Sequence, residues 1–314
     1  MIYSCSWPAY ITSKNGGNES EVPFDKMYNQ AGCNTWRNWE DMNNKWEKVQ
    51  SIILHWADNW ETLYNKIPKG GFNDADMLIA GDDRLDHVLP IEIAKHQFGF
   101  WALISSPLLI GGDVRTITSK YRAVLMNSFV SSVGQDVDRN QAICTVGCKD
   151  SVKMKTNSDI IQVWMKHLAG DSIPNSAFGF FNLGNTTVDK IMYQFPLDSS
   201  PELLLCSDLW SQDPSINICA AAALATDDDI NEIEDDSDWN FRVVKDDSDG
   251  SLHLEISALN VPPTSHRMLR IYLRYNTAHK TSKSWDGRQE LDDDDARKKV
   301  FHDEVSQLAL PPIM

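Results

Sequence analysis

The texture of this 314-residue chain changes sharply near residue 137, and that change bounds the fold more tightly than any other feature. Before it, short apolar runs alternate with longer stretches of helical periodicity, the pattern of β/α units on a parallel sheet. Ile2 to Cys5 reads as a strand, Asp25 to Gln30 as a helix and Asn34 to Arg37 as a strand. Trp46, Val49, Ile52, Ile53, Trp56 and Trp60 then recur at helical spacing, which predicts a helix with one core-facing stripe. Ile93 to Ile104 is a second apolar helix and Pro107 to Ile110 a short strand. That makes about four β/α units, half of what a closed (β/α)8 barrel of about 250 residues contains. We therefore expect residues 1–137 to form a partial TIM barrel.

After the change the runs are strands: Ile160 to Met165, Ala177 to Asn182, Lys190 to Tyr193 and Leu269 to Leu273. They predict an antiparallel β-sandwich over residues 138–275. Asp227 to Asp238 reads as a solvated loop, since it lacks the glycine and terminal glutamate of an EF-hand. Residues 276–314, with Asp292 to Asp295 followed by Arg297 to Lys299, read as a charged, disordered or weakly helical tail.

Composition narrows the function. A net charge of −16 argues against nucleic acid and anionic membrane surfaces as partners. Eleven Trp and eleven Phe indicate a folded core, and aromatics also suit sugar stacking. The sequons at Asn18 and Asn185 point to a lysosomal or secreted protein, although no signal peptide is visible at the N-terminus. A strand at residue 2, running directly into Ser-Trp-Pro, reads as an interior piece of a larger domain. No apolar run reaches the roughly 18 residues of a membrane span.

Chemistry in such barrels sits at the C-terminal ends of the strands. Three segments qualify: Ser6 to Tyr10, Trp36 to Asp41 and Asn73 to Met77. They offer Arg37, Asp41, Asp74 and Asp76 with Trp7, Tyr10, Trp36 and Trp39 nearby. Carboxylates grip hydroxyls and aromatic faces stack on sugar rings. Glycoside hydrolysis needs one carboxylic acid to protonate the leaving oxygen and a second carboxylate opposite. Loop caps and surface ion pairs are the plainer alternative.

Four motifs in one order carry a specific resemblance: Tyr3 to Tyr10 (YSCSWPAY), Cys33 to Asp41 (CNTWRNWED), Gly70 to Leu78 (GGFNDADML) and Trp101 to Leu109 (WALISSPLL). They resemble the second half of the α-galactosidase and α-N-acetylgalactosaminidase family, glycoside hydrolase family 27. Gln162 to Leu168 and Phe178 to Leu183 are similar to the start of its C-terminal sandwich. The resemblance implies that the chain carries strands 5–8 of the barrel. It also implies a retaining exo-glycosidase, without cofactor, that removes terminal α-linked sugars from glycoconjugates, with a homodimer among the expectations for a full-length form. Asp41 falls at the acid/base position, so its neighbours should help it hold a proton until it acts. Arg37 falls at a sugar-hydroxyl ligand, Asp76 and Met77 at the pocket wall, and Trp7 and Tyr10 around the sugar. Cys5 and Cys33 match a family disulfide; Cys144, Cys148, Cys206 and Cys219 have no assigned partners.

Specificity follows from two small residues. Where α-galactosidases carry Glu and Leu, this chain has Ser6 and Ala9, leaving room for an N-acetyl group. The resemblance thus implies a preference for α-linked N-acetylgalactosamine, with α-galactose still admitted. It also has a gap: the family's nucleophile, an Asp ending the fourth strand, finds no counterpart in this sequence. These 314 residues are expected to be a fragment, inactive alone, or else a non-catalytic glycan-binding or regulatory protein.

Overall fold

The computed structural model describes residues 2–66, 68, 70–84, 88–148, 160–169, 175–197, 201, 203–211, 218–219, 238–246 and 248–274. The predicted tail and nearly all of the acidic loop from Asp227 fall outside them. Residues through Arg274 form one compact unit.

The first part is α/β. β1 (Ser4–Cys5), β2 (Thr35–Arg37) and β3 (Phe72–Asp74) form a parallel sheet in that order, and a separate parallel bridge pairs Leu78 with Ile110. Between β1 and β2 lie α1 (Trp7–Thr12) and α2 (Phe24–Asn29); α3 (Trp46–Asn65) joins β2 to β3. α1 was not foreseen. Its Pro8 sits in the first turn, where a missing N–H leaves no helical bond unmade. α3 buries Val49, Ile52, Ile53 and Trp56 of the predicted stripe and leaves Trp46 and Trp60 at its ends half-buried; Leu63, His55 and Asn59 are buried with them. Trp36 is fully buried, its ring 5.6 Å from that of Phe24.

α4 (Ile91–Leu103) is buried nearly all round because it lies between two layers. α5 (Ser119–Leu125) and α6 (Ser128–Gly134) follow it. The chain then builds β4 (Ile143–Val146), β5 (Ile161–His167), β6 (Asn175–Asn182), β7 (Val188–Leu197), β8 (Leu203–Asp208), β9 (Trp239–Lys245), β10 (Leu252–Val261) and β11 (Ser265–Arg274). Among the described residues one antiparallel sheet runs β4-β5-β6-β11-β8 and another β7-β10-β9.

β6 is buried along its whole length, and its alternation shows why. Phe178 and Phe180 point to the second sheet, with rings 5.6 Å from Phe195 and 5.5 Å from Trp239. Phe181 points the other way, 5.6 Å from Phe100 of α4. Gly179 shares that second face; a Cβ there would stand 2.6 Å from Leu103, so the missing side chain admits the helix. All six cysteines are paired: Cys5–Cys33 as the resemblance implied, and Cys144–Cys148 and Cys206–Cys219, which spacing alone left open. No described helix is long and apolar enough to cross a membrane.

Candidate active site

The parallel register Cys5↔Trp36↔Asn73 brings the chain out of β1, β2 and β3 at one level. Arg37 and Asp74 pair there, and Ser6 follows directly on β1. The three segments chosen from sequence therefore share one edge of one sheet.

Arg37 organises that edge. Its Nη2 lies 3.0 Å from Asp41 Oδ1 and 3.0 Å from Asp76 Oδ2, and donates to the Glu40 carbonyl at 3.0 Å. A single guanidinium thus ties carboxylates from two strand ends. Asp76 has φ +80°, a left-handed backbone uncommon for any residue but glycine. Several bonds hold it there. Its N–H donates to Asp74 Oδ1 at 2.8 Å, and its Oδ1 and Oδ2 accept from the N–H groups of Met77 (2.8 Å) and Met42 (2.7 Å). Its carbonyl accepts from Trp101 Nε1 at 2.7 Å, and Gln97 of α4 donates to the next carbonyl, Met77, at 3.0 Å. Burial pushes the Asp74 carboxyl above its ordinary range, opposed by the Asp76 N–H and the Arg37 charge.

Asp41 stands apart from this buried set. Its side chain is 95% exposed, so its contact with Arg37 is open to water. Trp7 (51%) and Tyr10 (68%) are also largely exposed, Ser6 and Met77 are at the surface, and Ala9 is half-buried. Aromatic faces, small residues and a carboxylate with a nearby cation are thereby presented to solvent. Such a surface can stack a sugar ring, bond its hydroxyls and hand over one proton. Asn18 and Asn185 are exposed, as acceptors of a glycan must be.

Sequence reasoning missed what lies behind the edge. Asn38, between Arg37 and Asp41, is fully buried; its Oδ1 accepts from the Asp74 N–H at 3.1 Å. Its Nδ2 donates to Asn73 Oδ1 at 3.1 Å and to Glu19 Oε1 at 3.2 Å. Glu19, also fully buried, meets His55 Nε2 at 2.8 Å. The only sequence signal was a histidine and an asparagine on the apolar stripe of α3.

Comparison with known proteins bears on the family and the fold. Residues 1–136 match the family model described as Alpha galactosidase A. The chain is 35% identical over 138 residues to Alpha-N-acetylgalactosaminidase of Gallus gallus, covering 43% of this chain and 31% of that protein. It is 29% identical over 170 residues to Alpha-galactosidase A of Homo sapiens, covering 54% and 35%. The chain thus spans about a third of the length of these curated relatives. Among solved structures, alpha-galactosidase I from Mortierella vinacea superposes with a TM-score of 0.53 at 20% identity, covering 79% of this chain and 56% of that one. At that identity the likeness shows the fold.

Proposed function

Residues 1–136 belong to the α-galactosidase family, glycoside hydrolase family 27, and from that premise we propose that this chain carries the acid/base side of a retaining exo-glycosidase site. Its parallel strands are read as strands 5–8 of a (β/α)8 barrel and its antiparallel sheets as the family's sandwich, with boundaries near residues 137 and 275. The observation that carries the reading is the Arg37 bridge to Asp41 and Asp76, at 3.0 Å each, on the strand ends where barrel enzymes do their chemistry.

In this reading Arg37 and Asp76 grip sugar hydroxyls, and Met77, Trp7 and Tyr10 shape the pocket around the ring. Asp41 protonates the leaving oxygen and later takes a proton from the incoming water. Attack on the anomeric carbon requires a second carboxylate, and the family's nucleophile has no counterpart among these 314 residues. We accordingly expect them to bind sugar but not turn it over. The substrate is a glycoconjugate ending in α-linked N-acetylgalactosamine, or less readily α-galactose. A lysosomal or secreted location and a homodimeric full-length form complete the proposal.

The test is direct. The 314-residue protein is titrated with N-acetylgalactosamine and with galactose, and assayed on the 4-nitrophenyl α-glycosides of both. Tighter binding of N-acetylgalactosamine with no turnover supports the reading. Turnover would show that another group supplies the nucleophile; no binding of either sugar would remove the glycosidase-site reading. Ser6→Glu with Ala9→Leu, in a form carrying the nucleophile, should shift preference towards galactose. The exposure of Asp41 favours one second reading, glycan binding without catalysis. A form with the upstream barrel strands that still fails to hydrolyse either glycoside would select it.

A further inference from the structure

Between Arg37 and Asp41 the chain turns two side chains backwards. Asn38 reaches into the Glu19 carboxylate as described above, while Trp39 stacks its ring on His55, 4.2 Å between centroids and 10° from parallel. Trp39 also donates its Nε1 to Ser51 Oγ at 3.0 Å. Both anchors thus end on α3 or on the residue that α3 holds. Glu19 is itself fixed twice: His55 meets its side chain, and its backbone N–H donates to Asn59 Oδ1 at 2.9 Å. Asn59 in turn donates to the carbonyls of Gly17 (2.8 Å) and His55 (2.9 Å). Thr12 of α1 adds a further bond, Oγ1 to the Asn38 carbonyl at 3.1 Å.

We propose that Glu19 is a positioning residue for the sugar site: through Asn38 it sets the β2 end against the β3 end, and with His55 it fixes the segment that displays Arg37 and Asp41. The inference rests on the functional reading above and deepens it. A carboxylate buried away from water is costly to keep, and removing it leaves its donors unpaired. In this place the cost has a return in geometry. Asn38 can accept from the Asp74 N–H only while its amide is held in one orientation, and Glu19 and Asn73 are the two acceptors that hold it. Loss of the first frees the amide to rotate, which loosens Asp74 and, through the Asp76 N–H, the ion pair to Arg37. Displacements of about 1 Å at such a site can cost on the order of a hundredfold in function.

The experiment compares Glu19→Ala with Glu19→Gln in the 314-residue protein. Glu19→Gln keeps an oxygen able to accept from Asn38 and His55; Glu19→Ala keeps none. N-acetylgalactosamine binding is measured by calorimetry and referred to the folded fraction. Glu19→Ala should weaken binding roughly tenfold or more while Glu19→Gln stays within about threefold of the parent. Equal affinity in the alanine variant, even with a lower melting temperature, would reduce Glu19 to a purely structural part and overturn the proposal.

A second readout separates this failure from failure of the functional reading. If the parent binds no sugar, crystal structures of the parent and the alanine variant decide positioning alone. Loss of the 3.0 Å contacts from Arg37 to Asp41 and Asp76 supports it, and their survival sinks it. Should Glu19→Ala not fold, His55→Phe keeps the stack on Trp39 but removes the donor to Glu19. It should weaken binding several-fold or open the same contacts, and unchanged affinity and contacts would again overturn the proposal.

Discussion

The strand-end edge and the joint between α4 and the antiparallel sheet both bury ionisable groups, and they do so in opposite ways. At the edge the buried groups are mainly acids met by donors: Asp74 by the Asp76 N–H, Asp76 by Arg37, Glu19 by Asn38 and His55. At the joint the buried groups are bases among rings and carbonyls. His96 lies 5.1 Å from His266 and 4.9 Å from Phe181, with its Nε2 unpaired. Lys166 of β5 places its Nζ on the Ala102 carbonyl (3.2 Å), Ser105 Oγ (2.7 Å) and the Val133 carbonyl. Two of those acceptors belong to the last turns of α4 and α6, where carbonyls are free and the dipole favours a cation.

Burial drives Asp74 at the edge and the bases of the joint towards their uncharged forms, with opposite consequences for pH. It lowers His96 to about 3, takes His266 well below its ordinary value and brings Lys166 down to about 7, with Asp136 opposing the last. A base depressed in the folded state adds stability above its unfolded pKa and loses it as pH falls towards the folded one. Asp74, raised, does the reverse: its contribution is full below the unfolded value near 3.8 and fades as pH rises through the folded one. Lys166 gives up its contribution between pH 10.5 and about 7, whereas the two histidines lose theirs as pH falls below 6.5, so acid should open the joint, through them, before the edge.

The sharpest way to break this contrast is Lys166→Ala, which leaves three acceptors without their ammonium and a void in the joint. It should cost about 3–5 kcal/mol in urea unfolding at pH 6. Lys166→Met, which refills the volume, should cost clearly less. Next is acid linkage. Between pH 7 and pH 5 the protein should lose about 2 kcal/mol more than His96→Phe, because each pH unit below 6.5 forfeits about 1.4 kcal/mol for a proton the folded imidazole refuses. Parallel losses in both proteins would assign acid sensitivity elsewhere. Gly99→Ala tests the closeness of the joint: its Cβ would stand 2.6 Å from Met268 Sδ and 2.7 Å from His266 Nε2, which predicts a loss of about 1–3 kcal/mol in the same assay. Smallest is Asp41→Asn at the exposed tip of the edge, where stability should change by less than about 1 kcal/mol. A larger loss would mean that Asp41 is a structural part of the Arg37 cluster.

The edge was far more legible in the sequence than the joint. Arg37, Asp41 and Asp76 occupy short, distinctive segments, and parallel strands must bring such segments out at one end. α3 and α4 announced themselves by period. Glu19 and Lys166 did not, because polarity in a sequence predicts exposure and both are fully buried. Lys166 alternates with Trp164 and Gln162 on one face of β5, a face that reads as mixed until α4 is known to cover it. The Cys144–Cys148 and Cys206–Cys219 disulfides each tie a strand residue to one 4 and 13 positions further on, outside any strand, a choice among four cysteines that spacing alone does not make.

α4 touches both regions. With Gln97 and Trp101 it holds the carbonyls of Met77 and Asp76, and with His96, Gly99 and Phe100 it lies against β6 and β11. In mechanical terms it is a strut loaded at both sides, too densely packed to absorb a displacement by bending. A push delivered at His266 or Met268 should therefore shift the left-handed turn of Asp76, which a crystal structure of Gly99→Ala would check. Distance from the strand-end edge would then give a substitution in the antiparallel sheet no insulation.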